Sequence, residues 1–194
     1  MKKFPLLKTE RLVLRELKVS DAPSIFDIFS RERVTKFISA KTIYSLKEAK
    51  KMIRYRKNRF KTMQGIQWAI TLREKQECVI GSCGYNTPHQ FFHYSNIGYE
   101  LHPDYWHKGI MTEALTAIIN YGFSEWFFYY LNRIEALTYI NSVASITLLK
   151  KLGFKEEGIR REYGYWKNKF HDLRSFSLLR RDWKTQLCGQ KGNV

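Results

Sequence analysis

The sequence predicts an α+β fold in one domain over residues 1–183, followed by a flexible tail over 184–194. Three observations predict it. Short alternating runs bounded by turn residues recur along the chain, and capping chemistry with apolar stripes of helical period marks the helices. No linker or internal repeat divides the 194 residues, and 44% hydrophobic with 15% aromatic content suffices for a full core.

In chain order, Thr9-Glu-Arg-Leu-Val-Leu-Arg-Glu16 reads as a half-exposed strand, because Leu12 and Leu14 alternate with charged or smaller residues. Ser20 can cap a first helix running to Phe29, with Pro23 tolerated in its opening turn. Residues 31–44 read as irregular. Ser45-Leu-Lys-Glu48 is a capping box, and Leu46, Ala49, Ile53, Phe60 and Met63 supply the stripe of a second helix. Its outer faces carry Lys47, Lys50, Lys51, Arg54, Arg56, Lys57, Arg59 and Lys61, either an ordinary solvated face or a surface for RNA or an acidic substrate.

Residues 66–73 and 78–85 read as two strands of a meander joined by the polar turn Glu74-Lys-Gln-Glu77, and residues 86–94 as an aromatic loop. His89 and His93 in that loop have no third ligand at metal spacing. Cys78, Cys83 and Cys188 are odd in number and lack a second pair at zinc spacing, so free thiols and no metal are expected.

The stretch from Asn96 to Glu113 carries the chemistry. Ile97, Tyr99 and Leu101 alternate with Gly98 and Glu100 in a strand that Pro103 and Asp104 stop. A helix then starts near Lys108, with Met111, Ala114, Leu115, Ile118 and Gly122 at helical spacing. The N–H groups of Lys108, Gly109, Ile110, Met111 and Thr112 have no acceptor inside that helix, and its start carries a partial positive charge. Such an end cradles phosphate. Neither G-x-x-x-x-G-K-[ST] nor G-x-G-x-x-G occurs, which excludes the common nucleotide loops.

Residues 132–140 read as a strand with Ile134, Ala136 and Thr138 on one face. A short helix from Ser142 buries Ile146, Leu149 and Leu152 and ends at Gly153, which suits a left-handed cap. Residues 157–183 read as antiparallel strands closing the sheet.

Tyr105-Trp106-x-x-Gly109-x-x-Thr112-Glu113-Ala114 resembles the acyl-CoA pyrophosphate loop of the GNAT N-acetyltransferases, in particular the branch of the RimJ and RimL ribosomal-protein N-terminal acetyltransferases. Trp106 and Met111 replace the Gln/Arg and Gly/Ala that are usual in the superfamily. Thr9-Glu-Arg-Leu-Val-Leu-Arg15, Arg133-Ile-Glu-Ala136, Glu157-Gly158 and Asp182-Trp183 resemble further elements of the branch, so the likeness runs from residue 9 to 183. It implies a mixed, mostly antiparallel central sheet flanked by helices, with acetyl-CoA entering where two central strands splay apart. It also implies that acetyl-CoA meets Tyr99, Leu101, Trp106, His107, Lys108, Gly109, Ile110, Met111 and Thr112. Counting back from Gly153-Phe154, Ser142 stands where the family asparagine contacts the pantetheine arm, with Asn141 one residue away, and Ser145 stands on the family serine. Many relatives outside the branch carry a tyrosine acid where this chain has Leu149, so Ser145 is the proton-donor candidate, or else a local backbone partner.

An amine attacks a thioester only when unprotonated. A free α-amine is neutral in roughly one molecule in ten at pH 7, against fewer than about one in a thousand for lysine, so an α-amine asks less of a base. Glu100 is the leading base and Glu157 the alternative, acting through water. A backbone N–H of the strand 99–101 would steady the oxyanion, as the resemblance implies.

Lys plus Arg total 34 against 18 Asp plus Glu, a net charge of +16 that suits anionic partners such as CoA or RNA. The N-terminus lacks a signal-type apolar stretch and no run approaches the ~18 apolar residues of a membrane span, so a cytoplasmic protein is expected. The expected acceptor is the N-terminal α-amine of a protein, in particular a ribosomal one. A small amine (polyamine, aminoglycoside or amino acid) and a non-catalytic RNA-associated protein are the alternatives, and monomer and homodimer both stay open.

Overall fold

The structure, a computed structural model, describes residues 3–38, 40–124 and 127–191. Strands β1 (Leu7–Lys8) and β2 (Leu12–Glu16) lead through a 3-10 turn, Val19–Asp21, into α1 (Ala22–Phe29). Asp21, not the expected Ser20, organises that entry: its carboxylate accepts the Lys18 N–H at 2.7 Å and both Arg15 Nη atoms at 2.8 Å. A four-residue helix, α2 (Glu32–Thr35), interrupts the stretch expected to be irregular. α3 (Leu46–Lys61) starts at Ser45 as expected, but only half of the capping box forms: Ser45 Oγ accepts from Glu48 N at 3.3 Å, while the Glu48 carboxylate accepts from Tyr44 N at 2.7 Å, one residue before the N-cap. The stripe is narrower than expected. Ala49 and Ile53 are buried, but Leu46 and Met63 are exposed at the two ends, where no neighbouring layer covers them.

β3 (Gly65–Leu72) and β4 (Lys75–His89) form the meander, and β4 runs on through the segment expected to be a loop, turning only at residues 90–93 before β5 (Tyr94–Leu101). After a 3-10 turn at Pro103–Tyr105 comes α4 (Ile110–Gly122), then β6 (Arg133–Tyr139), α5 (Val143–Lys151), β7 (Lys155–Trp166), β8 (Lys169–Leu179) and α6 (Arg180–Lys191). One expectation fails at the C-terminus: Asp182 and Trp183 lie in the opening turn of a helix instead of ending a strand, and helical backbone runs on to Lys191. Trp183 explains the helix's docking, since its indole is buried and donates to Asn120 Oδ1 at 2.8 Å.

The strands form one sheet in the order β1-β2-β3-β4-β5-β6-β8-β7. Every pairing is antiparallel except β5 with β6, which is parallel and registers only Tyr94, Ser95 and Asn96 against Arg133, Ile134 and Glu135. Past Asn96 the two strands part. The sheet has a core on each face, as alternation requires. Trp68, Ile70, Tyr85 and Ile97 pack with Ala114, Leu115 and Ile118 of α4 on one face, and Ala69 and Val79 pack with α1 and α3 on the other. Gly153 adopts φ 82° at the end of α5, the left-handed cap read from sequence. Among the described residues no helix is long and apolar enough to cross a membrane.

Candidate active site

A cleft of about 1490 Å³ opens where β5 and β6 part. Because β5 stays paired to β4 as far as Leu101, one of its edges is satisfied while alternate backbone groups from Ile97 onward face the gap. At its C-terminal end the Trp106 indole donates to Leu101 O at 2.9 Å, fixing the turn toward α4. Gly109, the N-cap of α4, sits at φ 73° and ψ 0°, a left-handed conformation that glycine enters without steric cost. This lets the chain swing so that the first-turn N–H groups of Ile110, Met111 and Thr112 point outward without intrahelical acceptors. The arrangement fits a phosphate.

A clamp unforeseen in the sequence reading holds that turn. The Glu113 carboxylate accepts from Thr9 Oγ1 at 2.5 Å, Arg11 N at 2.9 Å and Arg11 Nε at 2.6 Å, while Arg11 Nη1 donates to Lys108 O at 3.0 Å. Burial pushes the Glu113 pKa up, but the hydrogen bonds from Thr9 and Arg11 and the guanidinium charge outweigh it and hold the carboxyl below its usual range. Thr9 and Arg11 stand in a recognisable strand motif. Nothing local says that their acceptor lies more than 100 positions away.

Tyr99, Glu100, Leu101, Trp106, His107, Gly109, Ile110, Met111, Thr112, Ser142 and Ser145 all line the cleft. Lys108 and Asn141 do not. The Lys108 ammonium lies 5.6 Å from the Tyr105 ring centroid, and Asn141 borders a separate small depression beside Phe37 and His171. Ser142 occupies the N-cap of α5 but makes no side-chain cap bond. Leu149 is fully buried in the core.

Across the gap Tyr99 reaches α5, its Oη 2.5 Å from Ser145 Oγ. Burial pushes the phenol up to about 12, against a smaller lowering by the bond to Ser145, so Tyr99 stays an O–H. A phenol donating to Ser145 Oγ leaves the serine's own hydrogen free to point into the cleft. On the opposite face of β5 the Glu100 carboxylate is buried and engaged: Arg56 Nη2 donates to it at 2.9 Å and Ser82 Oγ is hydrogen-bonded to it. Glu157 lies elsewhere. It is paired with Arg133 and accepts from Ser177 Oγ at 2.7 Å, and is not among the residues lining the cleft. Arg133 holds its carboxyl below the usual range, against burial and with help from Ser177.

The outer wall comes from both ends of the chain. Lys167, in the β7–β8 turn, donates through Nζ to Thr35 O of α2 at 2.8 Å, and Phe37, Tyr139, Tyr163 and Trp166 line the cleft beneath. His89 stacks on Tyr94 and His93 Nδ1 lies 2.8 Å from Tyr130 O, so packing accounts for both histidines. Among the described residues no group of three His, Cys, Asp or Glu is placed to hold a metal.

The strand pair parts beside a left-handed glycine and a helix start, and residues 11–155 match the acetyltransferase (GNAT) domain family, to which the chain belongs. It is an N-acetyltransferase of that family. The chain is similar to YoaA of Bacillus subtilis, an uncharacterised N-acetyltransferase, at 34% identity over 91% of this chain and 98% of the relative. Among solved structures it resembles a ribosomal-protein-S5-alanine acetyltransferase from Vibrio fischeri, with TM-score 0.78 and 25% identity over 92% of this chain and 98% of the other. RimL, a ribosomal L7/L12 α-N-protein acetyltransferase in complex with coenzyme A, shares the fold at TM-score 0.79 and 17% identity, over 90% of this chain and 98% of that one.

Proposed function

We propose that the protein transfers the acetyl group of acetyl-CoA to the N-terminal α-amine of a protein, with ribosomal proteins the favoured acceptors. The observation that carries this reading is the extent and charge of the cleft. At about 1490 Å³ it exceeds the roughly 300–1,000 Å³ of ordinary small-molecule pockets, leaving room for a CoA arm and an extended chain together. Among the described residues that line it, Glu100 is the one carboxylate, against Arg33, Lys36, Arg56, Arg59 and Lys151. A polyamine or aminoglycoside would meet repulsion there. The ribosomal-protein acetyltransferases among the fold neighbours add support by analogy.

In this reading the first turn of α4 holds the pyrophosphate through backbone donors, and a β5 backbone N–H faces the developing oxyanion. Glu100 accepts the amine proton through water as nitrogen bonds to the carbonyl carbon. Ser145, backed by Tyr99, protonates the sulfur as the carbon–sulfur bond breaks. Incubating the protein with acetyl-CoA and total ribosomal protein, followed by intact-mass and N-terminal peptide analysis, tests it. A gain of one acetyl group on an N-terminus is expected; acetylation confined to lysines or to small amines refutes it.

A further inference from the structure

The residue row at the far end of β5 from the CoA loop has a chemistry of its own. Gly65, Asn86 and Asn96 face one another across β3, β4 and β5, on the side covered by α3. Asn96 stands four residues before Glu100, about 13 Å along the strand at ~3.3 Å per residue, and away from Gly109. Over this row lies Arg59, one helical turn beyond Arg56. Its Nη2 is bonded to Gln64 O and its guanidinium carbon lies 5.7 Å from the Tyr55 ring centroid. No carboxylate among the described residues is within ion-pair distance of it, whereas Arg56 is committed to Glu100. Arg59 Nε and Asn96 Oδ1 are buried without hydrogen-bond partners, a donor and an acceptor left over in one wall of the cleft. Buried polar atoms are rarely left so.

We propose that this row is an acceptor subsite selecting peptides with an acidic side chain within their first four residues, paired to Arg59. The inference rests on the N-terminal reading above. An α-amine held near Glu100 sends an extended chain back along β5, and ~13 Å spans about four residues at 3.3–3.6 Å each. The third or fourth side chain then comes beside Arg59, whose planar fork suits a carboxylate. The unpartnered Asn96 Oδ1 accepts a peptide N–H on the way. Gly98 lines the cleft between Glu100 and this row, and the Asn86 side chain lies against it. A Cβ on Gly98 would stand 2.7 Å from the Asn86 amide nitrogen.

The test uses eight-residue peptides, identical except for Asp, Ala or Lys at positions three and four, with spermidine as the small-amine control. The wild-type protein is expected to acetylate the Asp peptide with kcat/KM at least tenfold above the Lys peptide. Arg59→Gln should bring the three peptides within about twofold of one another while acetyl-CoA affinity holds, and Arg59→Lys, which keeps the charge but not the fork, should retain a reduced acidic preference between those of wild type and Arg59→Gln. Peptide acetylation without an acidic preference in the wild-type protein, or a preference that survives Arg59→Gln, overturns the subsite and leaves the N-terminal reading standing. Should Arg59→Gln fail to fold, the wild-type ranking alone decides. Acetylation of spermidine but of none of the peptides overturns both.

Discussion

Ser145 and Glu100, the proposed acid and base, both line the cleft, and each is held by a partner that sets what its loss should do. Ser145→Ala is expected to lower turnover by roughly 10²-fold with acetyl-CoA affinity nearly unchanged, since a proton donor to the departing sulfur acts in the transition state. Tyr99→Phe removes one hydrogen bond of about 1 kcal/mol and should cost about fivefold in turnover. Steady-state kinetics beside calorimetric acetyl-CoA titration separates these from a pantetheine contact, which would weaken binding as well. Glu100→Gln should lower the rate near pH 7 by ~10²-fold, with a loss that shrinks toward pH 9 as more of the acceptor amine is already neutral. A mutant-to-wild-type ratio that stays flat from pH 6 to 9 would assign Glu100 to positioning Arg56 and Ser82, its two hydrogen-bond partners. Ser145 was named as a candidate through the family resemblance and Glu100 from its place in the strand beside the loop. Their partners were not legible, because Arg56 is 44 positions from Glu100 and Tyr99 is 46 from Ser145.

At the level of elements, the start of α4 is shaped by two devices, the left-handed Gly109 and the clamp from β2. Gly109→Ala forces a Cβ into the left-handed region at a strain of roughly 1–2 kcal/mol, and should weaken CoA binding about tenfold in calorimetry. The clamp also sets an acid limit. Because the Glu113 pKa is lowered on folding, its contribution is fully present above the ordinary carboxylate value near 4.3 and is lost as pH falls through the depressed one. Glu113→Gln should therefore melt below wild type at pH 6–7, with the gap closing as the pH drops below about 4. A gap independent of pH would mean that packing, not the ionised carboxylate, holds the turn. The helix start itself is readable from Pro103, Gly109 and the apolar period of α4, since those are local. The strand that braces it is a tertiary fact.

Over the whole molecule, Trp183 docks the opening of the C-terminal helix on the larger core. Trp183→Ala should cost ~3–5 kcal/mol in urea unfolding, whereas Trp183→Phe, which mainly gives up the bond to Asn120, should cost about 1 kcal/mol. The chain's order along residues 9–183 determined the α+β class, most of the run of strands and helices and the helix start after Gly109, because each depends on period, capping or a single glycine conformation within a few residues, whereas Ser145 was singled out only by the family resemblance. Sequence periodicity misplaced the end of β4 and the start of α6, where an aromatic-rich run and a Trp–Asp pair suit more than one local structure and a distant surface settles the choice. Folding decided that Glu100 rather than Glu157 lines the cleft, that Arg56 is spent on Glu100 while Arg59 has no carboxylate partner among the described residues, and that β5 and β6 part after three registered pairs. The physical reason is that charge pairing and strand divergence depend on which surfaces meet, and residues tens of positions apart meet only when the sheet is assembled.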